Sequence, residues 1–337
     1  MAMREPNFDN FLKVLDRKKP SRPTLFEFFL NIPLNERLTG EKLAPGYGSL
    51  DYKRHNMHAY HKAGYDYVTI LAGFGFKRPE IHREKSISLN EGSMINDRKS
   101  FEAYPWQKPD EFDYSEIDIL AKELPKGMKH IAFGPGGVLE NLIALVGYDN
   151  LCFMLIDDPG LVQEIVDAIG SRLVRHYEIL AQFKSVGAMI SNDDWGFKTQ
   201  PMLSPDDMRK YIVPWHRKIA KAIHNSGCPA ILHSCGNLEE VMDDIIDDIG
   251  YDAKHSYEDT IIPVEEAYEK WGSRIAILGG IDVDFICRHT PDEVRERSRK
   301  MLKRASDRGG YALGSGNSIP EYVPQEGYLA MISAALE

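Results

Sequence analysis

The chain has 337 residues, 43% of them hydrophobic, which is enough to bury a large core in one or two domains. Its formal net charge of −10 argues against nucleic acid or an anionic membrane as a partner. No apolar run is long enough to span a membrane, and the N-terminal stretch MAMREPNFDNFLKVLDRKK has charges where a signal peptide needs an apolar segment. We therefore expect a soluble, cytoplasmic protein whose four cysteines are reduced.

Short β-prone runs alternate along the chain with longer helical patterns. After an N-terminal helical extension, strands are predicted at residues 24–29, 65–71, 130–133, 188–191, 229–232, 252–255, 274–278 and 311–313. Helices are predicted over 51–62, 158–183 and 290–308. The pairs Ser204-Pro205 and Thr290-Pro291 are typical of helix N-termini, because serine or threonine caps the helix and proline fits its first position.

Eight strands that alternate with helices predict parallel βα units in an α/β protein, and eight is the number that closes a (β/α)₈ TIM barrel. An open, doubly wound sheet is the alternative. Residues 76–106 do not follow the repeat, and their alternating runs at 86–90 and 98–103 predict a hairpin-like insertion after the second strand. We expect residues 1–337 to form a single domain.

Polar side chains recur where the predicted strands end, and barrel enzymes place their active sites at that end. His233 and Cys235 lie two residues apart, so they can point to the same side of the chain. One imidazole and one thiolate form part of a zinc site, and a further ligand must come from another strand. His233 and Cys235 are also compatible with side chains that only fill space at a strand end. Asp193 and Asp194 are also compatible with acids that cap the turn before the next helix.

Several short motifs occur together in the second half of the chain: DDWG at 193–196, HSCGN at 233–237, LGGID at 278–282, TPDEV at 290–294 and GSG at 314–316. In combination they resemble the uroporphyrinogen decarboxylase superfamily. The resemblance implies a (β/α)₈ barrel, in agreement with the strand count. It also implies one of two chemistries: decarboxylation of a porphyrinogen without a cofactor, or methyl transfer to or from a corrinoid, usually with zinc.

Departures from the decarboxylase pattern favour the methyltransferase branch. The decarboxylase branch has an arginine-rich segment at the end of its first strand, which suits a substrate rich in carboxylates, whereas this chain has Glu27 there and no arginine. The aspartate that follows the second strand of that branch is absent from ILAGF at 70–74. His233 and Cys235 match the metal pair of the methyltransferase branch, whereas Ser315 stands where many of its zinc enzymes have a further cysteine.

The resemblance thus implies metal-assisted methyl transfer at the barrel mouth. Zinc would be bound by His233 and Cys235, and an acid (Asp193, Asp194 or Glu258) would complete the site or assist catalysis. The expected partners are a small-molecule methyl donor or acceptor and a separate protein that carries the corrinoid. The expected substrate-binding residues are Glu27, Phe74, Trp195, Ser315 and Asn317. The alternatives are a site without zinc, a decarboxylase and a barrel that only binds a ligand.

Overall fold

The computed structural model describes residues 4–78, 89–90 and 93–337 of the chain. In these ranges the strands are β1 (Tyr67–Leu71), β2 (Lys129–Phe133), β3 (Val186–Asn192), β4 (Ala230–His233), β5 (Ala253–His255), β6 (Ala276–Leu278) and β7 (Tyr311–Ala312). The helices are α1 (Phe8–Leu15), α2 (Ile32–Thr39), α3 (Ser49–Ala63), α4 (Arg98–Ala103), α5 (Ser115–Ala121), α6 (Val138–Val146), α7 (Tyr148–Asp157), α8 (Pro159–Leu180), α9 (Pro205–Asp207), α10 (Val213–Asn225), α11 (Val264–Trp271), α12 (Val283–Arg288), α13 (Pro291–Ala305) and α14 (Gln325–Leu336). Short 3₁₀ turns occur at Pro109–Glu111 and Glu239–Val241, and π-helical turns at Met208–Ile212 and Asp244–Ile249.

The strands form one parallel sheet in the order β1-β2-β3-β4-β5-β6-β7, so strands that follow each other in sequence are neighbours in space. The sheet curls around an interior filled by side chains. The Phe26 ring lies 4.9 Å from the His255 ring of β5, and the Phe28 ring lies 4.7 Å from the His233 ring of β4. All carboxyl ends of the strands therefore meet at one mouth, as in a barrel.

The segment predicted as the first strand, residues 24–29, is not a regular strand. It makes isolated parallel bridges beside β7, between Leu25 and Leu313 and between Leu30 and Ile319. On its other side, hydroxyl groups of α3 and β1 replace the backbone donors of a strand. Tyr67 donates to the Glu27 carbonyl at 2.9 Å and Thr69 to the Phe28 carbonyl at 3.0 Å. The prediction of eight regular strands is thus wrong at this position, because side chains satisfy the carbonyls there.

The predicted helices over 51–62, 158–183 and 290–308 correspond to α3, α8 and α13, and the caps behave as expected. Ser204 and Thr290 accept hydrogen bonds from the N–H groups of Asp207 and Glu293. The predicted hairpin is wrong in its second half, since residues 98–103 form α4, with Asp97 capping the N–H of Ser100. Its first half, at 86–90, lies mostly outside the described residues.

The end of the sheet opposite the mouth is closed by α1. The Phe11 ring lies 5.0 Å from that of Tyr67 and 6.1 Å from that of Phe26. In the described ranges, no helix is by itself long and apolar enough to cross a membrane, and α6 and α7 reach that length and composition only as a bent pair.

Candidate metal centre

Three potential metal ligands meet at the ends of β3 and β4. The ligand atoms of Asp194, His233 and Cys235 all lie within 4.8 Å of one another. His233 Nε2 lies 3.9 Å from Cys235 Sγ and 4.0 Å from Asp194 Oδ1. His233 is the last residue of β4, and Asp194 follows the end of β3 by two residues. The two strands are paired in register at Asn192 and His233, which brings the acid beside the histidine.

His233 is held from behind by His255 of β5. The two residues are register partners, and their Nδ1 atoms are 2.8 Å apart. His255 Nε2 lies 3.2 Å from the carbonyl oxygen of Ser315. Burial holds the pKa of His233 well below its usual range and lowers the pKa of His255 to about 3, so both rings are neutral. His255 was not among the predicted site residues, although a histidine at the end of the neighbouring predicted strand was the signal.

Cys235 is surrounded by hydrogen-bond donors. Asn317 Nδ2 donates to its Sγ at 3.3 Å, and Ser256 Oγ does so at 3.6 Å. The backbone N–H of Cys235 donates to Asp194 Oδ1 at 2.8 Å. Burial raises the pKa of the Cys235 thiol to about 12, so in the absence of a metal the sulfur carries its proton. The structure thus places Asn317, predicted as a substrate-binding residue, against the sulfur.

The two adjacent acids have different environments. Asp193 has no exposed surface, and its carboxylate accepts hydrogen bonds from the N–H groups of Leu139 and Glu140 at the start of α6. The Trp195 indole N–H and His216 Nε2 also donate to it, at 2.9 and 2.8 Å. Asp194 instead reaches the cluster, and burial raises the pKa of its carboxyl. Asp193 therefore holds α6 against β3, and its predicted catalytic role stays a prediction.

The predicted substrate residues Glu27, Trp195 and Ser315 have no exposed surface. Ser315 Oγ is 2.7 Å from Glu27 Oε1, and the Ser315 N–H donates to Glu27 Oε2 at 3.3 Å. A hydroxyl close to a buried carboxyl thus occupies the position at which the resemblance implied a further cysteine. Direct contact of these three residues with a substrate stays a prediction, and their burial does not favour it.

An open groove of about 710 Å³ lies beside the cluster at the ends of β1 and β2. Its walls include Phe29, Leu71, Phe74 and Phe133, and its rim includes the ion pair between Lys53 and Glu116. The buried Phe28 ring lies between the wall of the groove and the cluster, 5.0 Å from the Phe133 ring and 4.7 Å from the His233 ring. Phe74 lines this groove, and its contact with a substrate stays a prediction.

Two further glutamates, Glu258 and Glu140, lie near residues of the cluster but outside it. Glu258 lies after β5, outside the three-ligand group, and lines a small pocket with Lys254 and Tyr257. Glu140, on α6, was not among the predicted site residues. Burial, aided by the charges of Asp193 and Asp194, raises the pKa of Glu140 to about 8. No short-range sequence signal marks Glu140, because it lies near the two acids only through the start of α6, where its backbone N–H donates to Asp193.

Comparison with known proteins identifies relatives with two activities. A methylated-thiol–coenzyme M methyltransferase from Methanosarcina mazei is 25% identical over 181 residues, which are 52% of this chain and 46% of that protein. A uroporphyrinogen decarboxylase from Anaeromyxobacter sp. is 29% identical over 189 residues, which are 56% and 51% of the two chains. The matched region spans about half the length of these curated relatives.

The fold and the family follow from two further matches. The solved structure of a methyltransferase from Methanosarcina mazei superposes with a TM-score of 0.71 over 97% of each chain, at 15% identity, so the two share a fold. The family model for uroporphyrinogen decarboxylase (URO-D) matches residues 78–337, well over half of the sequence. The chain therefore belongs to the uroporphyrinogen decarboxylase (URO-D) family.

Proposed function

We propose that the chain is a metal-assisted methyltransferase that moves a methyl group between a small molecule and a corrinoid. The observation that carries the proposal is the cluster of Asp194, His233 and Cys235 at the mouth of the barrel. The similarity to a methylated-thiol–coenzyme M methyltransferase supports the same class of reaction. The decarboxylase relatives make porphyrinogen decarboxylation the second candidate.

The donor set fits zinc. One imidazole nitrogen, one thiolate and one carboxylate are three protein ligands, which leaves a fourth position open, as in catalytic zinc sites. Ideal tetrahedral coordination separates such atoms by about 3.4–3.6 Å. The observed separations from His233 Nε2 to Cys235 Sγ and Asp194 Oδ1, 3.9 and 4.0 Å, need only a small contraction. When bound, zinc supplies Lewis-acid chemistry that lowers the pKa of a thiol acceptor or polarises the heteroatom that carries the methyl group.

The side chains of the site position the ligands and control their protons. Asn317 and Ser256 direct donors at Cys235 Sγ, so they stabilise the thiolate once its proton has left. The Asp194 side chain is 36% exposed, so the substrate side of the cluster is open to the mouth. Glu140, whose raised pKa keeps it protonated at neutral pH, supplies a proton donor near the acids.

The groove supports a proposal for where the small molecule binds. Its volume of about 710 Å³ lies within the range of about 300–1,000 Å³ that is usual for small-ligand sites. Aromatic and aliphatic walls formed by Phe29, Leu71 and Phe133 suit an apolar methyl donor or acceptor. We assign the groove to this molecule and assign the corrinoid to a partner protein that docks at the mouth.

The proposal is tested by metal analysis of purified protein together with the absorbance change between cob(I)alamin and methylcobalamin. Candidate thiols, methyl ethers and methylamines serve as donors or acceptors. His233→Ala and Cys235→Ala should each abolish metal uptake and methyl transfer, whereas His58→Ala and Cys152→Ala, on exposed surfaces, should change neither. Full activity of the first two variants, or of the wild type after exhaustive chelation, would refute metal assistance.

A further inference from the structure

A chain of three polar groups runs from Ser315, which follows β7, to the metal cluster. The carbonyl oxygen of Ser315 lies 3.2 Å from His255 Nε2, and His255 Nδ1 lies 2.8 Å from His233 Nδ1. The remaining nitrogen of His233, Nε2, faces Cys235 and Asp194. His255 has no exposed surface and His233 has little, so solvent does not compete for these contacts.

The chemistry of the first group fixes the protons of the others. A backbone carbonyl can only accept a hydrogen bond, so His255 Nε2 must be the donor to Ser315. A neutral imidazole has a single N–H, which leaves His255 Nδ1 as an acceptor. The nitrogen 2.8 Å away, His233 Nδ1, must therefore be protonated and donate to it. The proton of neutral His233 is then on Nδ1, and its Nε2 carries a lone pair.

The position of the Ser315 carbonyl is itself well determined. The N–H of Gly280 donates to the same oxygen at 2.8 Å, and the N–H of Ser315 donates to buried Glu27. A methyl group on Gly279 would lie 2.2 Å from this oxygen and 3.0 Å from the His255 ring, so only glycine fits between β6 and β7 there. The acceptor that starts the chain therefore cannot rotate away from His255.

We propose that His255 is a positioning residue that sets the tautomer of His233 and so presents the Nε2 lone pair to the metal. An isolated neutral histidine favours the opposite tautomer, with its proton on Nε2, in which this nitrogen cannot bind a cation. Residues that accept the second N–H of a metal-binding histidine commonly change metal affinity by about 10–100-fold when they are replaced. The inference rests on the proposed metal site for its purpose, but the tautomer itself is independent of metal and activity.

The tautomer is measured by long-range ¹⁵N–¹H correlation NMR on metal-free protein labelled at histidine nitrogens, with His233 and His255 assigned from the signals lost in His233→Gln and His255→Gln. We expect the His233 proton on Nδ1 and the His255 proton on Nε2. A wild-type spectrum with the His233 proton on Nε2 would overturn the proposal, whatever the variants do.

Two substitutions of His255 separate tautomer control from simple packing. His255→Gln keeps an amide N–H for the Ser315 carbonyl and an amide oxygen for the His233 Nδ1–H, whereas His255→Leu fills the space with neither. We expect His255→Leu to move the His233 proton to Nε2 and to raise the zinc dissociation constant about tenfold or more, measured by competition with a chelating dye. His255→Gln should keep the tautomer and most of the affinity. Equal zinc affinity in both variants would contradict the inference.

The two proposals fail in different ways. If the expected tautomers are found but the wild type binds no zinc, His255 does set the tautomer of His233 and the proposed metal function is wrong. If zinc binds but His233 carries its proton on Nε2 in the metal-free protein, the metal site stands and the role of His255 is wrong.

Discussion

Glu27 is a buried carboxyl whose hydrogen bonds fit its protonated form. Ser315 Oγ lies 2.7 Å from Glu27 Oε1 and 3.0 Å from the carbonyl oxygen of Asn317. The hydroxyl has one proton, so both contacts are hydrogen bonds only if the carboxyl donates to Ser315 Oγ and the hydroxyl donates to Asn317. Burial raises the pKa of Glu27 to about 8, which agrees with a proton on the carboxyl at neutral pH.

This raised pKa makes the free energy of unfolding depend on pH. The unfolded chain loses the proton near the ordinary value of 4.5, and the folded chain keeps it to about 8. Between these values the folded state binds more protons than the unfolded state, so stability falls as the pH rises. The slope is about 1.4 kcal/mol per pH unit. Between pH 6 and 8 the wild type should lose about 2 kcal/mol through Glu27 alone.

Glu27→Gln removes this dependence without removing the hydrogen bonds. The amide N–H can donate to Ser315 Oγ, and the amide oxygen can accept from the Ser315 N–H, as the protonated carboxyl does. Urea unfolding of metal-free protein at pH 6, 7, 8 and 9 measures the effect. We expect the stability of Glu27→Gln relative to the wild type to rise by about 2 kcal/mol from pH 6 to 8.

Glu266→Gln is the matched control, because it makes the same substitution at an exposed glutamate on α11. Its stability should follow that of the wild type at every pH. If Glu27→Gln also runs parallel to the wild type, then Glu27 is ionised in the folded protein, and the proton assignment around Ser315 is wrong.

Three further outcomes follow from the site. The Cys235 thiol must lose a proton to bind metal, and burial raises its pKa to about 12. Zinc affinity, measured by dye competition, should therefore fall about tenfold per pH unit from pH 9 to 6. An affinity that does not change with pH would exclude thiolate binding. Asp194→Asn should lower zinc affinity with little loss of stability. Asp193→Asn weakens four hydrogen bonds, so it should lower the unfolding free energy by about 1–3 kcal/mol in urea titrations. The reverse pattern would exchange the roles of the two acids. The purified protein should not produce coproporphyrinogen from uroporphyrinogen at an enzymatic rate, since buried Glu27 stands where that substrate needs cations, and rapid production would establish the decarboxylase function.

The sequence was most informative where a residue's role depends on its position in a strand. An apolar run that ends in His233 predicts a strand end, and Cys235 follows on the same side, so the core of the cluster could be predicted. Which of Asp193 and Asp194 joins the cluster could not be predicted from the sequence. It depends on α6, whose first N–H groups approach Asp193 so closely that a methyl group on Gly137 would lie 2.0 Å from its Cβ.

Two local predictions failed because longer-range or capping interactions decided the outcome. Residues 24–29 have the composition of a strand, but the hydroxyls of Tyr60, Tyr67 and Thr69 occupy the carbonyls that a neighbouring strand would use. Residues 98–103 alternate like a strand, but Asp97 and Ser100 form a capping pair that starts a helix. The capping pair is visible in the sequence, whereas the hydroxyls that occupy the carbonyls of residues 24–29 come from 32 to 41 positions away.

The distribution of charge around the cluster explains why the site suits a divalent cation. The groups that follow one another behind His233 are neutral: His255 has a lowered pKa, Glu27 a raised one, and Ser315 contributes only a carbonyl, a hydroxyl and an N–H. The buried Lys254 amine also lies near the cluster, and burial lowers its pKa to about 8. The negative charges that can face a metal are thus those of the Cys235 thiolate and the Asp194 carboxylate, and both acids have raised pKa values in its absence. Burial disfavours the anionic forms of Cys235 and Asp194, and a dication that binds there takes the place of their protons. The dication and the two anions together carry no net charge. Binding then costs little desolvation of net charge, which is the condition for a metal site in a buried environment.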